Sequence, residues 1–274
     1  MIEMLIGLLL GRKAAPASEP ARPVMEAMED RRLLAAGIPR FDHVVVVIEE
    51  NHAYNEIIGT HQAPFINNLA RHGVLFTQSF AVSHPSQPNY LALFAGTTYG
   101  IADDNNPGVL PGPNLAGELR QQKLSFAGYT DGIVPKHNPW LDYAGLPRWT
   151  NQPMSKFPRD FSKLPTVSFI APNQMHDMHD GSISQGDSWL SRHLTNYAKW
   201  ARTHNSLLIV TFDEDDYSQG NQVPTLMYGV HVQAGKSSQV INQYNLLRTI
   251  EDMYSLPYMG NTATASPITG VWRA

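Results

Sequence analysis

The chain has 274 residues, 42 % of them hydrophobic and 16 % charged, a composition that excludes wholesale disorder and allows one large core. A formal net charge of −4 with no Lys/Arg-rich run argues against a nucleic-acid partner. With no cysteine, disulfides, thiolate metal sites and thiol nucleophiles are excluded, and metal ligation falls to oxygen and imidazole groups.

The amino terminus carries an apolar run from Met4 to Leu10, far too short to span a bilayer, so no stable membrane insertion is expected. It reads as an imperfect export signal, with Glu3 where positive charge belongs and Arg12 and Lys13 behind it. Export to the periplasm or medium is the expectation, with the cytoplasm as the alternative. Ala14 to Pro23 is linker-like, so residues 1–38 are read as a leading segment and 39–274 as a single domain.

The predicted elements then follow in chain order. "FDHVVVVIEEN" (Phe41 to Asn51) is a β-branched run of buried-strand type that ends in two carboxylates and an amide. A helix is expected from Ala63 to Gly73, with Pro64 near its start and Gly73 as its cap. "VLFTQSFAV" reads as a strand, a helix opens near Pro88, another covers Asn114 to Gln122, and "LSFAGYT" is a further strand. Residues 131–161, rich in Pro, Asn and Trp and without periodicity, are read as a substrate-side insertion. "PTVSFIAPN" is a strand, Asp187 to about His204 a helix, "SLLIVTFDEDD" and "VPTLMYGVHV" strands, and "NLLRTIEDMYSL" an amphipathic helix. This alternation indicates an α/β fold, a mainly parallel central sheet with helices on both faces.

In such sheets ligands bind beyond the carboxyl ends of the strands. Three strands here end in polar clusters: Glu49 to Asn51, Met175 to Asp180, and Asp213 to Asp216. The acids offer the hard oxygen ligands that Mg²⁺, Ca²⁺ or Mn²⁺ prefer, and two such clusters repel one another unless a cation compensates. Ser86 in "HPSQPNYLALFAG" sits at or beside a helix N-cap, where it either caps the helix or holds a phosphoryl group against the helix dipole. His137, His176 and His179 lie in non-periodic segments, outside any expected core. No G-x-S-x-G elbow or H-E-x-x-H motif is present, and "GVHVQAGKS" has five residues between its glycines where a P-loop has four, so it reads as a surface turn.

Six stretches in order, "VVVVIEENHAYNEIIG", "SHPSQPNYLALFAGTTYGI", "KHNPW", "DMHDGSISQGDSWL", "VTFDEDDYSQGNQVPT" and "YNLLRTIEDMY", resemble the bacterial phosphoesterase family that contains acid phosphatases and non-haemolytic phospholipase C, within the alkaline phosphatase superfamily. The resemblance implies Ser86 as a nucleophile that becomes phosphorylated, Glu50 and Asn51 as one metal-binding pair, and Asp213 and Glu214 as the second. It implies His137 and His179 around the phosphate, as possible donors to the leaving group. Asn221 falls where phospholipase-like members place a histidine, and with His176 is a candidate for phosphate contact. Gln243 stands where a family histidine is expected before the last helix. The expectation is a metal-dependent acid phosphatase acting on small phosphomonoesters, with Mg, Ca, Mn or Zn as the ion. Alternatives are a phospholipase C-like diesterase and a non-catalytic binder of phosphorylated ligands.

Overall fold

Seven residues with branched or apolar side chains at almost every position form β1 (His43–Glu49), buried on both faces. Val44, Val46 and Ile48 enter one hydrophobic cluster, while Val45 and Val47 enter another, so this single strand divides the core in two. The computed structural model describes residues 37–273, which fall in one compact unit, Ala35–Ala274; the leading segment and linker read from the sequence lie outside the described residues.

After β1 come α1 (Tyr54–Ile57), α2 (Pro64–His72), β2 (Val74–Phe76), α3 (Ser86–Ala95), α4 (Leu115–Gln121), β3 (Phe126–Thr130), β4 (Asn151–Pro153) and β5 (Val167–Ala171). The chain continues through α5 (Ile183–Ala201), β6 (Ser206–Phe212), β7 (Thr225–Gly229), β8 (Gly235–Ser237) and α6 (Gln243–Tyr254). The eight strands form one sheet in the order β4-β3-β5-β1-β6-β7-β2-β8. Residues of α3, α4 and α6 pack in the cluster on one face, and those of α1, α2 and α5 in the cluster on the other. Among the described residues no helix is long and apolar enough to cross a membrane.

The mainly parallel sheet matches the expectation, with local departures. β7 runs antiparallel to β6 and to β2, because no helix separates β6 from β7 and a short return without a crossover reverses direction. The strand expected over "VLFTQSFAV" stops at Phe76; beyond it the chain makes only single bridges, from Ser79 to Ile241 and from Phe80 to Gln222. α5 starts four residues before Asp187, since Ser182 accepts from the Gln185 N–H and Gln185 returns the bond as a capping box. The P-loop look-alike ends as edge strand β8, parallel to β2, where a plain turn was expected. The insertion supplies the opposite edge strand, β4, which extends the sheet beside β3.

Register sets the site. Glu49 lies opposite Phe212, and Val47 opposite Ile170, so the carboxyl ends of β1, β5 and β6 emerge side by side at the middle of the sheet. The Asp213 N–H donates to the Glu49 carbonyl at 3.0 Å, and the Glu50 N–H to the Asp177 carbonyl at 2.8 Å.

Candidate active site

α3 begins at Ser86, one residue after its N-cap Pro85, and all ten of its residues are buried. The expected position beside the cap holds, but the hydroxyl caps nothing. Ser86 Oγ lies 3.1 Å from Glu50 Oε2 and 3.0 Å from Glu214 Oε1. One hydroxyl proton serves two carboxylate oxygens, so only one contact is a true donation at any instant. The loop before the serine is pinned by Asn89, whose Oδ1 accepts from the Val82 and Ser83 N–H groups. In the first turn of α3, the Gln87 N–H donates to Asp104 Oδ1 at 3.0 Å, and Lys136 Nζ meets the other oxygen of that carboxylate at 2.7 Å.

The acids around Ser86 come from two adjacent strand ends. The Asn51 N–H, on a residue with φ of 51°, donates to Asp213 Oδ1 at 3.3 Å. Asn51 Oδ1 and Asp213 Oδ2 are buried with no hydrogen-bond partner. Burial pushes the Asp213 carboxyl well above the usual range, and Glu50 and Glu214 push it further. Burial also raises Glu214. A divalent cation removes this repulsion and uses the unspent lone pairs, so Glu50, Asn51, Asp213 and Glu214 fit a hard metal ion.

A second buried group shares Glu50. His137, delivered by the insertion, is fully buried, with Nε2 2.9 Å from Glu50 Oε1 and Nδ1 3.3 Å from Asp177 Oδ2. Tyr90 stacks on its ring at 5.0 Å and donates its hydroxyl to Glu50 Oε1 at 2.6 Å. Burial opposes the charge on His137, but Glu50 and Asp177 prevail and lift its pKa to about 9. Burial likewise opposes the charge on Glu50, while His137 and Tyr90 hold it below the usual range. Glu50, His137 and Asp177 present ligand atoms within 4.8 Å of one another, so this trio could also hold a metal ion.

The other sequence candidates are placed as follows. His179 stays partly exposed, its ring 6.2 Å from that of His137 and its Nδ1 2.7 Å from Asp180. His176 turns to Asp131, at 2.6 Å, and stacks on Trp189. Asn221 spends both ends of its amide on backbone, accepting from the Asp215 N–H and donating to the Ser83 carbonyl. Gln243, in the place of the family histidine, donates to the Asp213 carbonyl and accepts from the Val82 N–H, tying the acidic strand end to the serine loop. His84, not among the sequence candidates, sets Nδ1 2.6 Å from Glu214 Oε2 and Nε2 3.1 Å from Asp215 Oδ1, under Tyr217 at 3.9 Å.

A phosphoesterase family model matches residues 60–257, most of the chain. The chain belongs to the phosphoesterase family. A phosphatidylinositol-3-phosphatase of Mycobacterium tuberculosis is 47% identical to this phosphoesterase over 258 residues, covering 88% of this chain and 86% of that one. A phosphate-repressible acid phosphatase of Penicillium chrysogenum is 30% identical over 71% of this chain, which spans only 55% of that protein. An acid phosphatase of Aspergillus fumigatus is 26% identical over 90% of this chain and 60% of its own. Against these two fungal relatives the phosphoesterase therefore spans little more than half their length. Among solved structures, a Vibrio parahaemolyticus protein of the alkaline phosphatase superfamily superposes with a TM-score of 0.60 at 14% identity, over 91% of this chain and 80% of that one. A phosphonate monoester hydrolase of Agrobacterium radiobacter gives 0.55 at 14% identity, over 85% and 79%. At such identity these two share the fold.

Sequence reasoning on this phosphoesterase missed His84, Tyr90 and Asp177. His84 and Tyr90 stand two residues before and four after Ser86, and helical spacing alone puts Tyr90 one turn behind the serine. Asp177 lies between the two histidines that were singled out, so its proximity was available as a signal.

Proposed function

We propose that this phosphoesterase hydrolyses phosphomonoesters through a phosphoserine on Ser86, with a divalent cation (Mg, Ca, Mn or Zn) held by Glu50, Asn51, Asp213 and Glu214. The observation that carries this is the Ser86 hydroxyl held between carboxylates from two strand ends at the start of a buried helix. When bound, the cation would lower the hydroxyl pKa and offset charge on the transferred phosphoryl group.

The chain's own groups supply the rest. Glu50 or Glu214 accepts the hydroxyl proton as the Ser86 Oγ–P bond forms and the P–O bond to the leaving alcohol breaks. His84 and His179 are the partly exposed imidazoles near the site. His84, one carboxylate away from the nucleophile, is assigned to protonate the alcohol, and His179 to face the phosphate. His137, fully buried, instead orients Glu50 together with Tyr90. Water then cleaves the Oγ–P bond, which returns the hydroxyl and releases phosphate.

The 47% identical relative is named for a phosphoinositide substrate, which supports an inositol lipid phosphate as the natural monoester. Export belongs to the same reading and rests on the Met4 to Leu10 run. The decisive experiment compares the parent with Ser86→Ala on p-nitrophenyl phosphate and phosphatidylinositol 3-phosphate, together with acid-quench mass spectrometry of the Ser86 peptide. Loss of both activities and a phosphopeptide trapped only in the parent are expected. An equally active Ser86→Ala variant would sink the proposal.

A further inference from the structure

Between the Met154–Phe161 segment and the flank of α5 lies a cavity of about 850 Å³, which none of the residues converging on Ser86 line. Met154, Phe157 and Phe161 give it apolar walls, and Arg159, Arg192 and His193 give it cationic and imidazole edges. Its volume is that of a small-molecule site, while its lining is mixed, with Met154, Phe157, Pro158 and Phe161 apolar and the rest polar or charged.

Both arginines are exposed at the rim of the cavity. Among the described residues neither Arg159 nor Arg192 has a hydrogen-bond or ion-pair partner. An unpaired guanidinium beside apolar surface offers a planar fork of donors that matches a carboxylate, phosphate or sulfonate. His193 Nδ1 lies 2.9 Å from the Trp189 carbonyl, which can only accept, so Nδ1 carries the proton and Nε2 is left over. Asp131, at the cavity edge, has Oδ2 taken by His176 at 2.6 Å and Asn173 at 3.0 Å and forms no ion pair with either arginine, so two cations face one carboxylate across the cavity.

The surroundings carry the same sign. In a chain of net charge −4, residues 148–163 bring Arg148, Lys156, Arg159 and Lys163 against the single Asp160. On α5, Arg192, Asn196 and Lys199 recur at intervals of four and three, one helical face, and the first two line the cavity. This flank is the reverse of the acid-rich site around Ser86 and favours an anion by simple field strength.

We infer that this cavity is a second binding site, which takes an anion carrying an apolar or aromatic body. Arg159 and Arg192 hold the anionic group, and Phe157 and Phe161 cover the body. The inference stands apart from the chemistry at Ser86, since no residue assigned to catalysis is used. The two sites do share a neighbour: Asp131 anchors His176, which belongs to the loop that carries Asp177 and His179.

The test is a fluorescence titration of the full chain with 8-anilinonaphthalene-1-sulfonate, an aromatic anion that brightens in apolar surroundings, run at constant ionic strength in a phosphate-free buffer. The expected result is saturable binding to one site, weakened about tenfold or more in the Arg159→Gln/Arg192→Gln double variant. The uncharged N-phenyl-1-naphthylamine should bind the parent more weakly than the sulfonate, and the double variant should hydrolyse p-nitrophenyl phosphate like the parent. Unchanged sulfonate affinity in the double variant overturns the inference, as does equal binding of the uncharged probe. Loss of phosphatase activity along with probe binding would overturn the separation of the two sites.

Discussion

His84 Nδ1 lies 2.6 Å from Glu214 Oε2, and the other oxygen of that carboxylate meets the Ser86 hydroxyl at 3.0 Å. One imidazole therefore sets the plane of a carboxylate that faces the proposed nucleophile, while its other nitrogen is held by Asp215. Replacing it by alanine should lower kcat about a hundredfold, with the fold retained by circular dichroism. The loss should be larger on an alkyl phosphate than on p-nitrophenyl phosphate, whose leaving group needs little protonation. Equal losses on both substrates would reduce His84 to a positioning residue.

The acids at the ends of β1 and β6 should make stability depend on a divalent ion. Glu50, Asp213 and Glu214 are buried together, and burial with mutual repulsion drives Asp213 and Glu214 upward. Chelation should lower the thermal midpoint and abolish activity. Restoring a fitting ion at a hundred times its Kd should recover about 2.7 kcal/mol. In an Asp213→Asn/Glu214→Gln variant, calorimetry should show a much smaller ion-dependent shift than in the parent.

Glu251 gives a pH dependence remote from this site. Its Oε1 accepts from the Met259 N–H and from Thr262 Oγ1, each at 2.9 Å, while Oε2 has no partner. Burial pushes its carboxyl from 4.5 to about 7. The folded state then binds more protons than the unfolded chain between these values, so the contribution is complete below about 4.5 and is lost as pH rises through about 7. Unfolding free energies from urea titrations at pH 5 and pH 8 should differ by up to about 3 kcal/mol from this group, and Glu251→Gln should flatten that difference.

Gly128 in β3 is where the insertion seats. A Cβ there would fall 2.1 Å from Trp140 Cε2, and the Trp140 indole N–H is fixed to Asn151 Oδ1 at 2.8 Å. Gly128→Ala should cost about 1–3 kcal/mol by overpacking. Because the same insertion delivers His137, activity should fall in the natively folded fraction as well, which thermal unfolding and turnover measured on one preparation will show.

Much of this arrangement was legible from the residues. The unbroken apolar runs of β1, β5 and β6 announced central strands, and the acids behind them marked the end at which they converge. What escaped were features decided by distant partners. β4 and β8 are three residues long and exist only through pairing with β3 and β2, so no periodicity can reveal them. His137 reads as polar in a loop, yet it is buried because Glu50 and Asp177 compensate its charge. Ser86 suited a helix cap by local rules, and only carboxylates 36 and 128 residues away show that its hydroxyl is used otherwise.

Those separations bear on how the protein comes to life. The contacts that bring the acids together at the serine join residues 36, 128 and 162 positions apart, and none of these is local. High contact order makes such pairings late and slow, since each must close a long loop before it yields anything. A chain emerging during synthesis holds Ser86 long before it holds Glu214, so the serine hydroxyl lacks its Glu214 partner until β6 has docked beside β1. The two-carboxylate setting of that hydroxyl is a property of the assembled sheet, absent until β6 is in place.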